Sequence, residues 1–158
     1  MNIDSREILT QPVHFIAFGF GAGLSPVAPG TMGTLIAIPI YWLLSGLPLL
    51  SYIIAVIAIL LVGIYTSGES ARRLGEHDYG GIVIDEIAGF LIAMIAIPVY
   101  WGWIVLGFLL FRFFDILKPW PISWLDKHVH GGLGIMADDV LAGIYALLSL
   151  HIVIWSVV

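Results

Sequence analysis

Three long stretches without a charged side chain constrain this chain more than any other feature. They cover residues 34–67, 87–111 and 140–158. A helix needs about 20 apolar residues to cross a bilayer, so each stretch is long enough to cross at least once. Only 11% of the 158 residues are charged and 60% are hydrophobic. A water-soluble fold would therefore lack the polar side chains to cover its surface, and we expect a small integral membrane protein.

The composition also excludes several classes of function. The chain has no cysteine, which rules out disulfide scaffolds, thiolate nucleophiles and zinc–cysteine or iron–sulfur sites. The formal net charge of −5 and the six basic residues give no basic face for nucleic acid. The high hydrophobicity excludes intrinsic disorder.

Helix breakers divide the first two stretches. Gly46-Leu47-Pro48 interrupts the first, and residues 98–103 (PVYWGW) interrupt the second with a proline and with aromatic side chains that prefer the membrane–water interface. We therefore interpret both stretches as helical hairpins with short arms, and the last stretch as a single crossing. The hairpin arms are short for a bilayer, so they are expected to begin inside the flanking charged segments or to thin the bilayer locally.

The basic side chains support this count. They fall in three groups outside the apolar stretches: Arg6, then Arg72 with Arg73, then Arg112, Lys118 and Lys127. The positive-inside rule puts such groups on the cytoplasmic side. All three can lie there only if each intervening stretch crosses an even number of times. The sequence thus predicts an all-α, compact polytopic membrane helix bundle, built from short helical hairpins plus a C-terminal transmembrane helix, as one domain over residues 1–158.

Two pairs of adjacent acidic residues stand beside apolar runs: Asp85-Glu86 and Asp138-Asp139. An ionised carboxylate at membrane depth is costly unless it is compensated, and adjacent like charges add to the cost. A divalent cation bound by both pairs removes the conflict, and oxygen ligands without cysteine favour Mg²⁺. The alternative is that Asp85 and Asp138 only cap helices. That alternative explains one carboxylate in each pair and leaves the other unexplained.

A second polar group follows the middle stretch. At helical spacing, Arg112, Asp115 and Lys118 form one stripe on an aromatic helix expected to end at Pro119. Snorkelling of the two cations to the interface is the simpler explanation, although it does not account for Asp115. Cations beside carboxylates and a divalent metal are what phosphate binding requires.

Glycine-rich segments precede the first stretch and the second acidic pair. In residues 20–34 a helix starting near Gly33 would offer backbone N–H groups to an anion, beside hydroxyl groups, and a plain interfacial turn is the alternative. The candidate phosphate-binding residues of this segment are Ser25, Thr31, Gly33 and Thr34. Residues 130–134 (HGGLG) are predicted to form a mobile or tight loop. Among the histidines, His77, His128 and His130 are candidate proton donors.

Three segments carry a resemblance to a known family: GLSPVAPGTMGTL, HDYGGIVIDEIAG and FRFFDILKPWPISWLDKHVHGGLGIMADDVLAG. In this order, from about residue 18 to residue 143, the chain resembles the phosphatidylglycerophosphatase A family of bacterial inner membranes. The resemblance implies Mg²⁺-dependent hydrolysis of phosphatidylglycerophosphate to phosphatidylglycerol, at the cytoplasmic face of a multi-pass inner-membrane protein. It also matches Asp85 and Glu86 to the family's acidic motif, Asp115 and Lys118 to its D-x-x-K-P motif, and the pair at 138–139 to its final acidic pair.

These considerations lead to one hypothesis for the site. The expected metal ligands are Asp85, Glu86, Asp138 and Asp139. Arg112 and Lys118 would bind phosphate oxygens, Asp115 would orient Lys118 or join the metal ligands, and His130 or a water would protonate the leaving alkoxide. Direct attack by water and a covalent aspartyl-phosphate both remain open, as do one or two metal ions and the oligomeric state.

Two other functions are alternatives to this hypothesis. A Mg²⁺-dependent phosphotransferase acting on another lipid head group also uses clustered membrane aspartates. The D-x-x-D-G-x-x-A-R opening of the CDP-alcohol phosphotransferases is missing here, however. A carboxylate-lined cation transporter would place acidic residues in the middle of the apolar stretches, and those are free of charge.

Overall fold

The computed structural model describes residues 5–76 and 79–157, and every regular element in those ranges is helical. This agrees with the all-α prediction. The helices, joined by short turns that include a 3₁₀ turn at Ala22–Leu24, are α1 Ser5–Thr10, α2 Pro12–Ala17, α3 Pro29–Ser45, α4 Leu49–Leu74, α5 Ile84–Ala93, α6 Trp101–Leu117, α7 Ile122–His128 and α8 Gly131–Val157.

Helix breaks occur where glycine and proline predict them. Residues 46–48 separate α3 from α4, as expected. The second break begins earlier than predicted, because α5 ends at Ala93 and Ala96 has a left-handed backbone with φ +58°. The Tyr41 hydroxyl holds this turn by donating a hydrogen bond of 3.0 Å to the carbonyl of Ile97.

Only α4 and α8, among the described residues, are long and apolar enough to cross a membrane. With 26 and 27 residues they are about 40 Å long. Large apolar side chains such as Leu43, Leu50 and Ile116 are exposed on the surface. These features are consistent with a membrane protein, whereas the number of crossings in the predicted bundle stays a prediction.

Helix α5 lies at the centre of the molecule. All of its residues from Ile87 to Ala93 are buried, as expected for a helix that is apolar on every side. At 10 residues it is too short to span a bilayer by itself. It packs against α3, α4, α6 and α8, so its position is fixed by four neighbouring helices.

Helix α8 begins earlier than the sequence indicates. Residues 131–134, predicted to be a loop, form its first turn after a left-handed Gly131 with φ +72°. A Cβ at Gly132 would collide with the carbonyl oxygen of Ile64 in α4. The loop prediction was wrong because glycine here permits close helix packing rather than a turn.

Two further helix ends differ from expectation. Helix α3 begins at Pro29, four residues before Gly33, because Ala28 has a left-handed backbone and proline is favourable at the first helical position. Helix α6 ends at Leu117 and not at Pro119. Lys118 has a left-handed backbone with φ +46° and turns the chain away from the helix axis.

Candidate active site

Acidic side chains from α5 and α8 meet at one end of the helix bundle. Single carboxylate oxygens of Asp85, Glu86 and Asp139 lie within 4.8 Å of one another. Asp85 and Glu86 are in the first turn of α5, and Asp139 is in the third turn of α8. The structure therefore brings together three of the four predicted metal ligands.

Two glycines explain this convergence. Gly89 follows Asp85 by four residues, and Gly143 follows Asp139 by four, so each glycine shares a helix face with an acidic residue one turn earlier. A Cβ at Gly143 would collide with the Gly89 carbonyl oxygen, and a Cβ at Gly89 would lie 2.7 Å from the Asp139 carbonyl oxygen. The backbones of α5 and α8 thus touch one turn below the carboxylates. This repeated spacing was a signal in the sequence that could have predicted the contact.

The clustered carboxylates are only partly satisfied. Asp85 Oδ1, Glu86 Oε2 and Asp139 Oδ2 are buried, and none has a hydrogen-bond partner among the described residues. Buried polar atoms are normally paired, and buried negative charges need a compensating charge. A set of unpaired oxygens of this kind fits a hard divalent cation.

Arg112 lies beside this cluster. Its Nη1 is 3.7 Å from Glu86 Oε1 and forms a hydrogen-bonded ion pair with Asp115 one turn further along α6. Asp115 therefore holds Arg112, whereas the sequence hypothesis made it a partner of Lys118 or a metal ligand. The Nε of Arg112 is buried and has no partner within the described ranges.

Lys118 is held by two other carboxylates. Its Nζ donates hydrogen bonds of 2.7 Å to Asp138 Oδ2 and of 2.7 Å to Asp126 Oδ1. Burial alone lowers the pKa of Lys118, but these two hydrogen bonds outweigh it and raise the pKa above its ordinary value. The lysine is therefore charged throughout the physiological range. Asp138, one of the four predicted metal ligands, is a partner of this lysine in the structure, and its role as a ligand stays a prediction.

Asp126 is a site residue that sequence reasoning missed. It lies on α7, eight residues after Lys118, in a segment whose exposed charges look like ordinary surface residues. Its role depends on the chain reversal at Lys118. The spacing of charged residues along a helix does not predict that reversal.

The glycine-rich segment reaches the site through Gly30. A Cβ at Gly30 would collide with Glu86 Oε1 and would lie 3.1 Å from Arg112 Nη1. This glycine was not among the predicted binding residues, although its lack of a side chain leaves room here for the Glu86 carboxylate.

The four predicted residues of that segment are placed differently. The Thr34 hydroxyl donates a hydrogen bond of 2.8 Å to the Gly30 carbonyl inside α3, and the Ser25 hydroxyl donates one of 2.8 Å to Val27. Gly33 packs against Val83, and Thr31 is half-buried on the first turn. Their role in substrate binding stays a prediction.

A cleft of about 210 Å³ opens over the carboxylates. His130 and Gly80 lie at its exposed rim. Its acidic and basic lining residues are Asp85, Glu86, Asp115, Lys118, Asp126, Asp138 and Asp139. Six carboxylate side chains line the cleft against one lysine, Lys118.

Three of the other histidines lie away from the cleft or outside the described ranges. His14 is buried, with its Nδ1 2.8 Å from Ser70 Oγ, and burial lowers its pKa. His128 stacks on Trp124 and its Nδ1 contacts the Trp124 carbonyl. His77 lies outside the described ranges.

Comparison with known proteins shows which family the chain resembles. A family model described as PgpA, phosphatidylglycerophosphatase A, matches residues 15–154. The chain is 47% identical over 141 residues to phosphatidylglycerophosphatase A of Escherichia coli, which covers 89% of this chain and 82% of the relative. It is 46% identical over 142 residues to phosphatidylglycerophosphatase A of Haemophilus influenzae, covering 89% and 87%.

A third relative has a different name. The chain is 38% identical over 150 residues to a putative phosphatidylinositol-3-phosphatase of Bacteroides thetaiotaomicron, with 90% of this chain and 93% of the relative covered. No solved structure matches the chain.

An all-helical protein with an acidic cleft and relatives of these kinds is a phosphatase, a hydrolase of phosphoric monoesters. The chain belongs to the phosphatidylglycerophosphatase A family. The family resemblance noted in the sequence is thereby confirmed.

Proposed function

We propose that this chain removes the terminal phosphate of phosphatidylglycerophosphate in a Mg²⁺-dependent reaction that yields phosphatidylglycerol and phosphate. The observation that carries the proposal is the convergence of Asp85, Glu86 and Asp139, each with a buried oxygen that lacks a partner. Two of the relatives are named for this activity.

Asp85, Glu86 and Asp139 would hold the metal ion. Their oxygens fit Mg²⁺, which prefers carboxylate ligands and retains some of its water. When bound, Mg²⁺ would neutralise charge on the phosphate oxygens and polarise the phosphorus centre. Asp138 accepts a hydrogen bond from Lys118 and is therefore the weakest candidate among the four predicted ligands.

The two cations would bind the transferred phosphate. Asp138 and Asp126 occupy two of the three N–H donors of Lys118, which leaves one donor for a phosphate oxygen. Arg112 is oriented by Asp115 and offers a planar donor set that suits phosphate. His130 at the rim is the candidate for proton delivery to the leaving alkoxide.

Membrane placement follows the same proposal. We infer an inner-membrane, multi-pass protein whose cleft faces the cytoplasm. The two long apolar helices and the exposed apolar side chains support this placement. The end of α4 and the start of α8 lie side by side, so Arg72 and Arg73 lie on the same side of the molecule as the cleft. The positive-inside rule assigns that side to the cytoplasm.

Phosphate release from purified full-length protein tests the function. With phosphatidylglycerophosphate in detergent, release should require Mg²⁺ and stop with EDTA. Asp85→Asn, Asp139→Asn and Lys118→Ala should each lose activity by about 10²-fold or more. Glu76→Gln changes an exposed acidic residue that lies two residues after α4; it is the matched control and should retain activity. Undiminished release in EDTA, or full activity of Asp139→Asn, would contradict the proposal.

Substrate choice needs its own comparison. Phosphatidylinositol 3-phosphate should be included because one relative is named for it. Faster release from that lipid would replace the proposed substrate and leave the phosphatase assignment intact. Transfer of phosphate to an added alcohol would favour the phosphotransferase alternative. Cation flux in liposomes without phosphate release would favour a transporter.

A further inference from the structure

We propose that α7 crosses the lipid–water interface at a slant, with Trp120 and Trp124 in the lipid, so that the cleft opens at the level of the lipid headgroups. The proposal rests on the proposed function, because it states how a membrane lipid brings its phosphate to the carboxylates. The partner is a bilayer surface that contains anionic lipid.

The side chains of α7 divide into two faces. Trp124, on α7, is 50% exposed, and Trp120, in the turn two residues before the helix begins, is 78% exposed. His128 continues this side by stacking on Trp124 with ring centroids 4.6 Å apart. Ile122 is fully buried on the opposite side. A short helix with tryptophan outward and an aliphatic side chain inward is typical of an interfacial position.

Contacts with α8 fix the slant of α7. The Tyr145 hydroxyl donates a hydrogen bond of 3.3 Å to the carbonyl of Trp120. At the other end of α7, the backbone of Val129 packs directly on Gly134. The two α8 positions are eleven residues apart, about 16 Å along the helix. Helix α7 therefore runs antiparallel to the first turns of α8, and Trp120 lies at its deeper end.

The outer surface of α6 supports lipid as the occupant. Leu109, Phe113 and Ile116 are exposed at spacings of four and three residues, which gives one continuous apolar stripe. At the far end of α6, Trp101 packs against Trp42 with ring centroids 5.1 Å apart, and both are exposed. The apolar stripe is thus bounded by exposed tryptophans at both ends.

The length of this stripe matches a bilayer. Helix α6 has 17 residues and is about 26 Å long. Helix α6 alone therefore covers most of the hydrocarbon thickness of about 30 Å.

Helix α7 also forms a wall of the cleft. Asp126, on the same helix, holds Lys118 through a hydrogen bond of 2.7 Å. The depth of α7 in the lipid therefore sets the height of the cleft. Lys127, beside it, is exposed, and its charge would attract anionic headgroups at the water end of the helix.

The absence of cysteine from the sequence makes depth measurement direct. Single cysteines replace Leu109, Trp120, Trp124, Lys127 or Arg72, and each full-length variant carries a nitrobenzoxadiazole label in vesicles of phosphatidylcholine and phosphatidylglycerol. Quenching by lipids with a nitroxide at defined depths should rank the labels from deepest to shallowest in that order. Aqueous iodide should quench the label at position 72 most and the labels at 109 and 120 least.

Two results would overturn the proposal: iodide quenching at 120 and 124 equal to that at 72, or equal depth for 120 and 127. Labels at 120 and 124 test the same face independently, so loss of one variant to misfolding leaves the other decisive. Phosphate release is measured separately on the unlabelled protein. If release fails while the depth ranking holds, the proposed function fails alone; if release occurs while the labels at 120 and 124 are aqueous, the inference about α7 fails alone.

Discussion

Gly143→Ala tests whether the crossing of α5 and α8 positions the carboxylates. The added methyl would collide with the Gly89 carbonyl oxygen and would lie 3.1 Å from its carbonyl carbon and 3.2 Å from Ile92 Cβ, where ordinary contacts begin at 3.4 Å. To relieve this, the two helices must separate by about 1 Å, at a cost of about 1–3 kcal/mol. Because Asp139 is one turn away, its carboxylate moves from Asp85 by a similar distance. A misplacement of about 1 Å costs about 10²-fold in rate.

The assay compares this variant with Gly46→Ala. Gly46 has φ −78° and nothing within 4 Å of an added Cβ, so its variant should match the wild type. For Gly143→Ala we expect a lower unfolding midpoint in detergent, about 10²-fold slower phosphate release and a weaker apparent affinity for Mg²⁺. A folded Gly143→Ala protein with wild-type rate and wild-type Mg²⁺ dependence would refute the reasoning.

Two further predictions concern groups outside the carboxylate cluster. Asp126→Ala removes one of the two acceptors that hold Lys118. Because this ion pair is partly exposed and worth at most about 1 kcal/mol, steady-state kinetics should show KM raised by up to about fivefold with kcat within about twofold. The control Lys127→Ala should change neither constant, and an unchanged KM in Asp126→Ala would remove Asp126 from the site. His14 is buried against Ser70 with a lowered pKa, so the unfolded chain binds more protons below pH 6.5 and the free energy of unfolding falls as the pH drops. Thermal unfolding between pH 7 and pH 5 should therefore show a steeper loss of stability in the wild type than in His14→Gln, and parallel curves would contradict this role.

The sequence predicts the features of this fold that follow from local chemistry. Helix breaks at 46–48 follow from glycine and proline, and the all-α class follows from the long apolar stretches. The acidic pairs can be recognised in the sequence as candidate site residues because charge beside apolar runs is costly. Three of their four members then meet in the structure.

Features set by long-range packing could not be predicted in this way. Gly131 and Gly132 look like loop residues, yet α8 includes them because α4 leaves no room for a side chain at 132. The helical stripe of Arg112, Asp115 and Lys118 is broken because Lys118 adopts a left-handed backbone and turns toward α7. Where a helix begins or where the chain reverses depends here on which helices pack together. Residue spacing along one helix does not predict that packing.

The most direct test of the central claim is a manganese titration followed by electron paramagnetic resonance. Mn²⁺ is a spectroscopic substitute for Mg²⁺ with similar ligand preference, and the readout does not depend on catalysis. The purified full-length wild type should remove Mn²⁺ from the free-ion signal at a saturable site, with Mg²⁺ competing. Asp85→Asn and Asp139→Asn should each lose that site, while Glu76→Gln keeps it. Equal binding by the wild type and both asparagine variants would contradict a metal site shared by α5 and α8.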